Sequence, residues 1–189
     1  MNALRNPKYT GIIWLAVRLW LGYEWLMAGI EKVFGDGSAV WVGPKAGTAI
    51  MGFLKGAIAK SSLAPGFDAA ANAHPAVQTW YATLIQNVFI PNATAFSYLV
   101  AYGELLVGIA LIIGLFTHFA ALMGAIMNLA YLFAGTTSTN PQMLVVGLVI
   151  LLVGGIAVGY YGLDFFARPM ERTLFARTRT RFFPHPQLA

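Results

Sequence analysis

The chain has 189 residues, 58% of them hydrophobic and 10% charged, with a formal net charge of +5 and a mean hydropathy of +0.67. A soluble domain carries roughly 25% charged residues, so this composition excludes an ordinary water-soluble globule and fits a membrane protein built as one helical bundle. The absence of cysteine excludes disulfides, thiolate nucleophiles and cysteine-ligated clusters.

The N-terminus, MNALRNPKY, lacks the small-residue cleavage site that follows a signal h-region, so the apolar run 12–30 is expected to be a retained span. It contains Arg18, Glu24 and Trp25, and Lys32 lies just beyond it. Residues 31–94 form an outer segment. Within it Val77, Trp80, Tyr81, Leu84, Ile85, Val88 and Phe89 recur at helical spacing, opposite Gln78, Thr79, Thr83, Gln86 and Asn87. That pattern predicts a helix lying in the membrane interface. Residues 46–59 predict a second, weaker one, and 61–74, with Pro and Gly, a loop between them. The segment is expected to cap the outer mouth of the bundle.

The second span, 95–116, carries Tyr102 and Glu104. Only Thr117 and His118 separate it from the third, 119–134, which predicts a tight antiparallel hairpin. On the third span Ala120, Ala121, Gly124, Ala125 and Asn128 share one side, a close-packing face, and Tyr131 follows. The turn 135–141 ends in Pro141, suited to starting the fourth span, 143–161. Gly155 and Gly159 make a GxxxG pattern there, again read as helix packing.

Arg5 and Lys8 at one end, and Arg168, Arg172, Arg177, Arg179 and Arg181 at the other, place both termini in the cytoplasm by the positive-inside rule. The expected fold is thus an all-α integral membrane protein: a four-transmembrane-helix bundle over 1–170 with an amphipathic segment between helices 1 and 2, then a basic cytoplasmic tail, 171–189. The tail fits contact with anionic lipid and not with nucleic acid, since no aromatic-basic module surrounds it. His74, His118 and His185 are the three histidines, and only His118 approaches a span, so a transmembrane bis-histidine haem is not expected. No metal site is expected either.

A charge near the bilayer centre costs about 2.5–3.5 kcal/mol on insertion scales, so Arg18, Glu24 and Glu104 need pairing, a cavity or a chemical role. Counting from the outer span ends at 1.5 Å per residue puts Glu24 roughly 9 Å deep, Arg18 roughly 18 Å, Glu104 roughly 14 Å and Asn128 about 10 Å. All four fall in one slab. The simplest expectation is an Arg18–Glu104 ion pair with Asn128 bonding across helices. Glu24, about 120° around the helix from Arg18, is then left to find another partner, a proton or an aqueous pocket. Tyr23, Trp25, Tyr102 and Tyr131 neighbour the slab and are candidates to hold a flat carbonyl-bearing ring.

These residues carry a family resemblance. Gly22-Tyr-Glu-Trp-Leu-Met-Ala-Gly-Ile-Glu-Lys32 resembles the first-span motif of the DoxX/DoxD membrane proteins. Gly103-Glu-Leu-Leu-Val-Gly108, Gly114-Leu-Phe-Thr117, Met127-Asn128, Ala134-Gly135 and Ser138-Thr-Asn140-Pro141 continue the likeness over about 12–164. Gly52-Phe-Leu-Lys-Gly56 in the outer segment is similar to the DoxD side. The resemblance implies a prokaryotic plasma-membrane protein, with Arg18, Lys32, Glu104 and Asn128 as family-pattern polar positions. It also implies kinship with the membrane subunit of thiosulfate:quinone oxidoreductase.

The resulting expectation is a quinone-associated oxidoreductase subunit. Glu104 or Glu24 would handle the proton and Arg18 would tune the carboxylate. Asn128, Tyr102, Tyr131 and Trp25 would contact the quinone, and Lys32 would attract a small anion such as thiosulfate. Membrane lipid, other membrane subunits or further copies of the chain are the expected partners. The alternative is a non-catalytic accessory subunit of a larger respiratory or photosynthetic complex. A small transporter is disfavoured on the expectation of four unbroken spans.

Overall fold

A computed structural model describes residues 7–166. Arg5, Arg168, the boundary expected at 170 and the tail 171–189 lie outside the described residues. Among those described, the chain is all helical: α1 (Pro7–Val33), α2 (Ser38–Trp41), α3 (Thr48–Ile58), α4 (Thr79–Leu84), α5 (Ala93–Ile113), α6 (Thr117–Phe133) and α7 (Asn140–Val153). Among the described residues one helix, α5, is long and apolar enough to cross a membrane by length and composition, while α6 and α7 are shorter apolar helices of 17 and 14 residues.

The core of the bundle is the seam between α1 and α5. Gly11, Arg18, Gly22, Trp25 and Gly29 are buried on α1, and Ser97, Ala101, Glu104, Gly108 and Leu111 on α5. Both sets step by three, four or seven residues, the spacing of one helix stripe. Glycine lets the two backbones approach: a Cβ at Gly29 would overlap the Leu105 backbone, and one at Gly108 the Leu26 backbone. This is the small-residue packing that membrane helices use in place of a hydrophobic driving force. Gly108→Ala should therefore cost about 1–3 kcal/mol by overpacking, read as a lower Tm in detergent; an unchanged Tm would mean the seam is looser than described.

These contacts set the register. Gly29 lies against Leu105, Leu26 against Gly108, and Gly22 against Leu111 and Ile112, so α1 and α5 are antiparallel with Glu104 level with the end of α1. Arg18 falls beside Gly114 at the opposite end, about 15 Å from Glu104 along the axis at 1.5 Å per residue.

The outer segment follows its expected pattern. Helix α3 occupies 48–58, and α4 continues into a π-turn, Ile85–Phe89. Val77, Tyr81, Ala82 and Ile85 are buried with Ile50, Leu54 and Ala57, whereas Gln78, Thr79, Thr83, Gln86 and Asn87 are exposed. Trp80 and Val88, placed on the apolar side by spacing, are exposed instead. The Tyr81 hydroxyl donates to Ala130 O at 2.8 Å and Lys60 Nζ to Gly135 O at 3.0 Å, tying this segment to the C-terminal end of α6. Burial pushes the Tyr81 phenol up to about 12, so it remains a donor across the neutral range.

The fourth apolar segment departs from expectation. Its helix stops at Val153, and Gly155 takes φ +47, the left-handed cap that glycine supplies without steric cost. A 3₁₀ turn, Ala157–Gly159, and a loop then return the chain toward the α5–α6 corner. Gly155 and Gly159 therefore do not share a continuous helix, and the GxxxG reading fails. The expectation of four unbroken spans, which disfavours a transporter, is not met at this segment, and the Arg18 side chain fills the break.

Candidate functional site

The expected Arg18–Glu104 ion pair does not form, because the α1–α5 register holds the two apart. Glu104, 4% exposed at its side chain, instead meets Lys32, whose Nζ lies 2.6 Å from Oε2. The Tyr131 hydroxyl donates to Glu104 Oε1 at 2.7 Å. Three residues on α1, α5 and α6 thus form one chain, Tyr131–Glu104–Lys32. Counting depth from the span ends hides the pair, because the register sets the end of α1 level with Glu104 and not with the start of the second span, and α1 stays helical through Lys32 to Val33.

Lys32 is fully engaged. Besides Glu104 it donates to Ala28 O at 3.3 Å and stands 5.1 Å from the centroid of the Trp41 ring, a cation–π contact. The Trp41 carbonyl in turn accepts from Ser97 Oγ at 2.6 Å, which fixes α2 against α5. Lys32 therefore faces a carboxylate and an indole, which leaves its ammonium poorly placed to take up a small anion.

Beside this chain lies an apolar cleft of about 220 Å³. Its walls come from α3 (Ile50, Phe53, Leu54), the α4 region (Tyr81, Phe89), α5 (Phe96, Leu99, Val100) and α6 (Ile126, Met127, Ala130, Tyr131). Leu99 and Ile126 are exposed, so the mouth opens on the apolar flank of the bundle. Tyr131 is shared: its ring lines the cleft, packed edge-on against Phe53 at 6.0 Å, and its hydroxyl reaches Glu104.

The other expected site residues are dispersed. Trp25 is core, its indole packed over Gly124. Tyr102 is exposed on α5 and stacked on Tyr98, rings 6.3 Å apart and 7° from parallel, outside the cleft lining. Glu24 is half-buried and, among the described residues, has no ion-pair partner. Asn128 is buried at the level of Glu104 but is not part of the cleft wall.

Arg18 belongs to a different cluster. It donates from Nη1 to Val158 O at 3.2 Å and from Nη2 to Tyr161 O at 2.8 Å, in a cradle made by Gly114 and Gly162. Asp164 completes that cluster by accepting from the backbone N–H of Phe116 at 2.6 Å and of Thr117 at 3.1 Å. It caps α6 from 47 residues away, in place of a local N-cap side chain. No local signal marks Asp164 as a cap, and the cleft walls could not be read as a set because they come from four separate stretches.

The family model for DoxX matches residues 13–137, well over half of the chain. The chain belongs to the DoxX family. Family members are generally membrane proteins, and the matched region runs from α1 through α6, so it contains Lys32, Glu104, Asn128 and Tyr131. It ends before α7 and Asp164. No curated protein and no solved structure matches the chain.

Proposed function

We propose that this DoxX protein is a quinone-associated subunit of a membrane oxidoreductase, with four apolar segments embedded in a prokaryotic plasma membrane and both termini cytoplasmic. The observation that carries the reading is Tyr131, which joins an apolar, flank-opening cleft to a buried carboxylate–lysine pair. A bound quinone would supply two-electron chemistry coupled to proton exchange at its ring oxygens.

The cleft fits one ring better than a whole molecule. Its volume of about 220 Å³ is below the ~300–1,000 Å³ of pockets that enclose drug-sized ligands, so a long tail would remain in lipid. Phe53, Phe89 and Phe96 offer flat apolar surface. The Tyr131 proton is directed at Glu104, so the phenol oxygen is left as an acceptor, which favours a hydroxyl-bearing, reduced ring over a carbonyl-bearing one. Lys32 holds Glu104 as the acceptor at the end of the chain. Proton movement between Tyr131 and Glu104 needs no side chain to leave its position. In the reducing direction a donor, either a partner or a second bound molecule, would supply two electrons, and Glu104 would return one of the two protons through Tyr131, so that the reduced ring is the product held. Kinship with DoxD would make that donor thiosulfate, but Lys32, the anion anchor expected for it, is committed to Glu104.

The test is binding. Purified protein should yield bound quinone on extraction and take up a short-tailed quinol. Val100→Trp, which fills the cleft, should abolish uptake, and Tyr131→Phe should weaken it about 5–10-fold, the loss of one hydrogen bond of about 1–1.5 kcal/mol. If no quinone is found and neither variant changes binding, the accessory-subunit reading replaces this one.

A further inference from the structure

Asn128 has both side-chain amide atoms buried without a protein partner, and the buried Glu104 Oε2 has the Lys32 ammonium as its one protein partner. The residue is 1% exposed. An amide stripped of water and left unpaired costs about 1–3 kcal/mol, so native interiors supply such groups with a partner.

The packing defines the space that the amide faces. On α5, Gly103 faces Met127 of α6 and Leu105 faces Gly29 of α1, so Glu104 between them projects into the space enclosed by α1, α5 and α6. On α6, Thr117, Ala121, Gly124 and Asn128 are buried on one face, and Trp25 of α1 packs on Gly124 one turn below Asn128. Asn128 therefore projects into the same space at the same level. The two N–H donors and the carbonyl of the Asn128 amide, and a Glu104 carboxylate oxygen with a spare lone pair, thus share one buried level. A buried water needs two to four such partners.

We propose that Asn128 and Glu104 hold an internal water, which makes Asn128 a positioning residue for the Glu104–Lys32 pair. The water accepts from Asn128 Nδ2 and donates to Glu104 Oε2, with its second proton available to Asn128 Oδ1 or to a second water. It gives Glu104 a third partner in an apolar interior and a proton-exchange route that leaves the Tyr131 and Lys32 contacts intact. This inference goes beyond the quinone reading, since it needs no ligand in the cleft.

The experiment uses full-length protein in detergent, stripped of quinone. An isolated unpaired amide and a water-holding one respond to Asn128→Leu with opposite sign. Leucine relieves an orphaned amide and raises Tm, but it expels a bound water and takes from Glu104 one of its three partners. We expect Tm to fall by about 3–6 °C, and no fall once Lys32→Met and Glu104→Leu have made the surroundings apolar. Asn128→Ser, which keeps a donor and an acceptor, should stay above Asn128→Ala, and this pair decides the matter should the leucine variant not fold. Infrared spectra in H₂¹⁸O should show an oxygen-isotope-sensitive band of an ordered water that Asn128→Ala removes. A raised or unchanged Tm for Asn128→Leu, equal Tm values for the serine and alanine variants, or no such band in the wild type would overturn the proposal. None of these outcomes depends on whether quinone binds.

Discussion

Lys32→Met is expected to destabilise the protein more than Glu104→Gln, and Lys32→Met combined with Glu104→Leu is expected to recover most of the loss. Removing one partner of a buried ion pair costs about 3–5 kcal/mol, because the other charge is left unpaired in a poor solvent. The asymmetry follows from exposure: the Lys32 side chain is 19% exposed and can turn its ammonium to water, whereas Glu104 is 4% exposed and cannot. Methionine at 32 thus strands a carboxylate whose remaining protein contact is Tyr131. Glutamine at 104 keeps an acceptor for Tyr131 and leaves a lysine that can snorkel. Replacing both by apolar residues removes the desolvation burden together with the attraction, and such swaps are often neutral or stabilising. Thermal unfolding in one detergent, with all three variants in parallel, measures the order. Equal losses for the two single variants, or no recovery in the double, would mean that Lys32 and Glu104 do not act as a pair.

The pair shows which parts of the site the sequence makes legible. Glu104 stands out at once as a carboxylate in an apolar run. Its partner depends on register, and register here comes from Gly29 and Gly108, whose missing side chains let α1 and α5 close up. Span ends estimated from hydropathy misplace Lys32 as a flanking residue, because helix formation continues past the apolar window to Val33. Taking the outer span ends as level pairs Ile30 with Ala95, whereas the glycine contacts set Ile30 level with Glu104; nine residues of slip is about 14 Å, enough to exchange Lys32 for Arg18 as the apparent partner.

The outer segment was more transparent because its signal is periodic. Val77, Tyr81 and Ile85 repeat every four residues and are buried together, as an amphipathic helix dictates. What spacing could not supply was the neighbour. Tyr81 and Tyr131 are 50 residues apart in sequence and line one cleft, since α4 lies across the end of α6 through the Tyr81–Ala130 hydrogen bond. The fourth segment failed for the opposite reason: every residue from 143 to 161 is apolar, glycine or tyrosine, so composition does not mark the break. Only the adjacent glycines 154 and 155 hint at it, and a distant arginine stabilises it.

That arginine supports the second large effect. Arg18→Met should release the segment 154–166 from the bundle while leaving the Tyr131–Glu104–Lys32 chain in place. The Val158 and Tyr161 carbonyls lose their donors, and Asp164 loses the nearby positive charge that balances it. Each stranded buried group costs about 1–3 kcal/mol, and a loosened Asp164 would also uncap α6 at Phe116 and Thr117. A loss of about 3–5 kcal/mol is expected for this buried charge and its contacts. Lysine offers no rescue, since a single ammonium does not reproduce the fork that spans two carbonyls. Hydrogen exchange provides the decisive reading. Amides of 157–166 and the N–H groups of Phe116 and Thr117 should lose protection, while those of α3 and the first half of α5, about 15 Å away along the axis, should keep it. Ring-ligand binding per folded molecule should be unchanged, because Arg18 lies outside the cleft wall. Uniform loss of protection along the whole chain, or lost ligand binding with residues 157–166 still protected, would instead make Arg18 part of the ligand site.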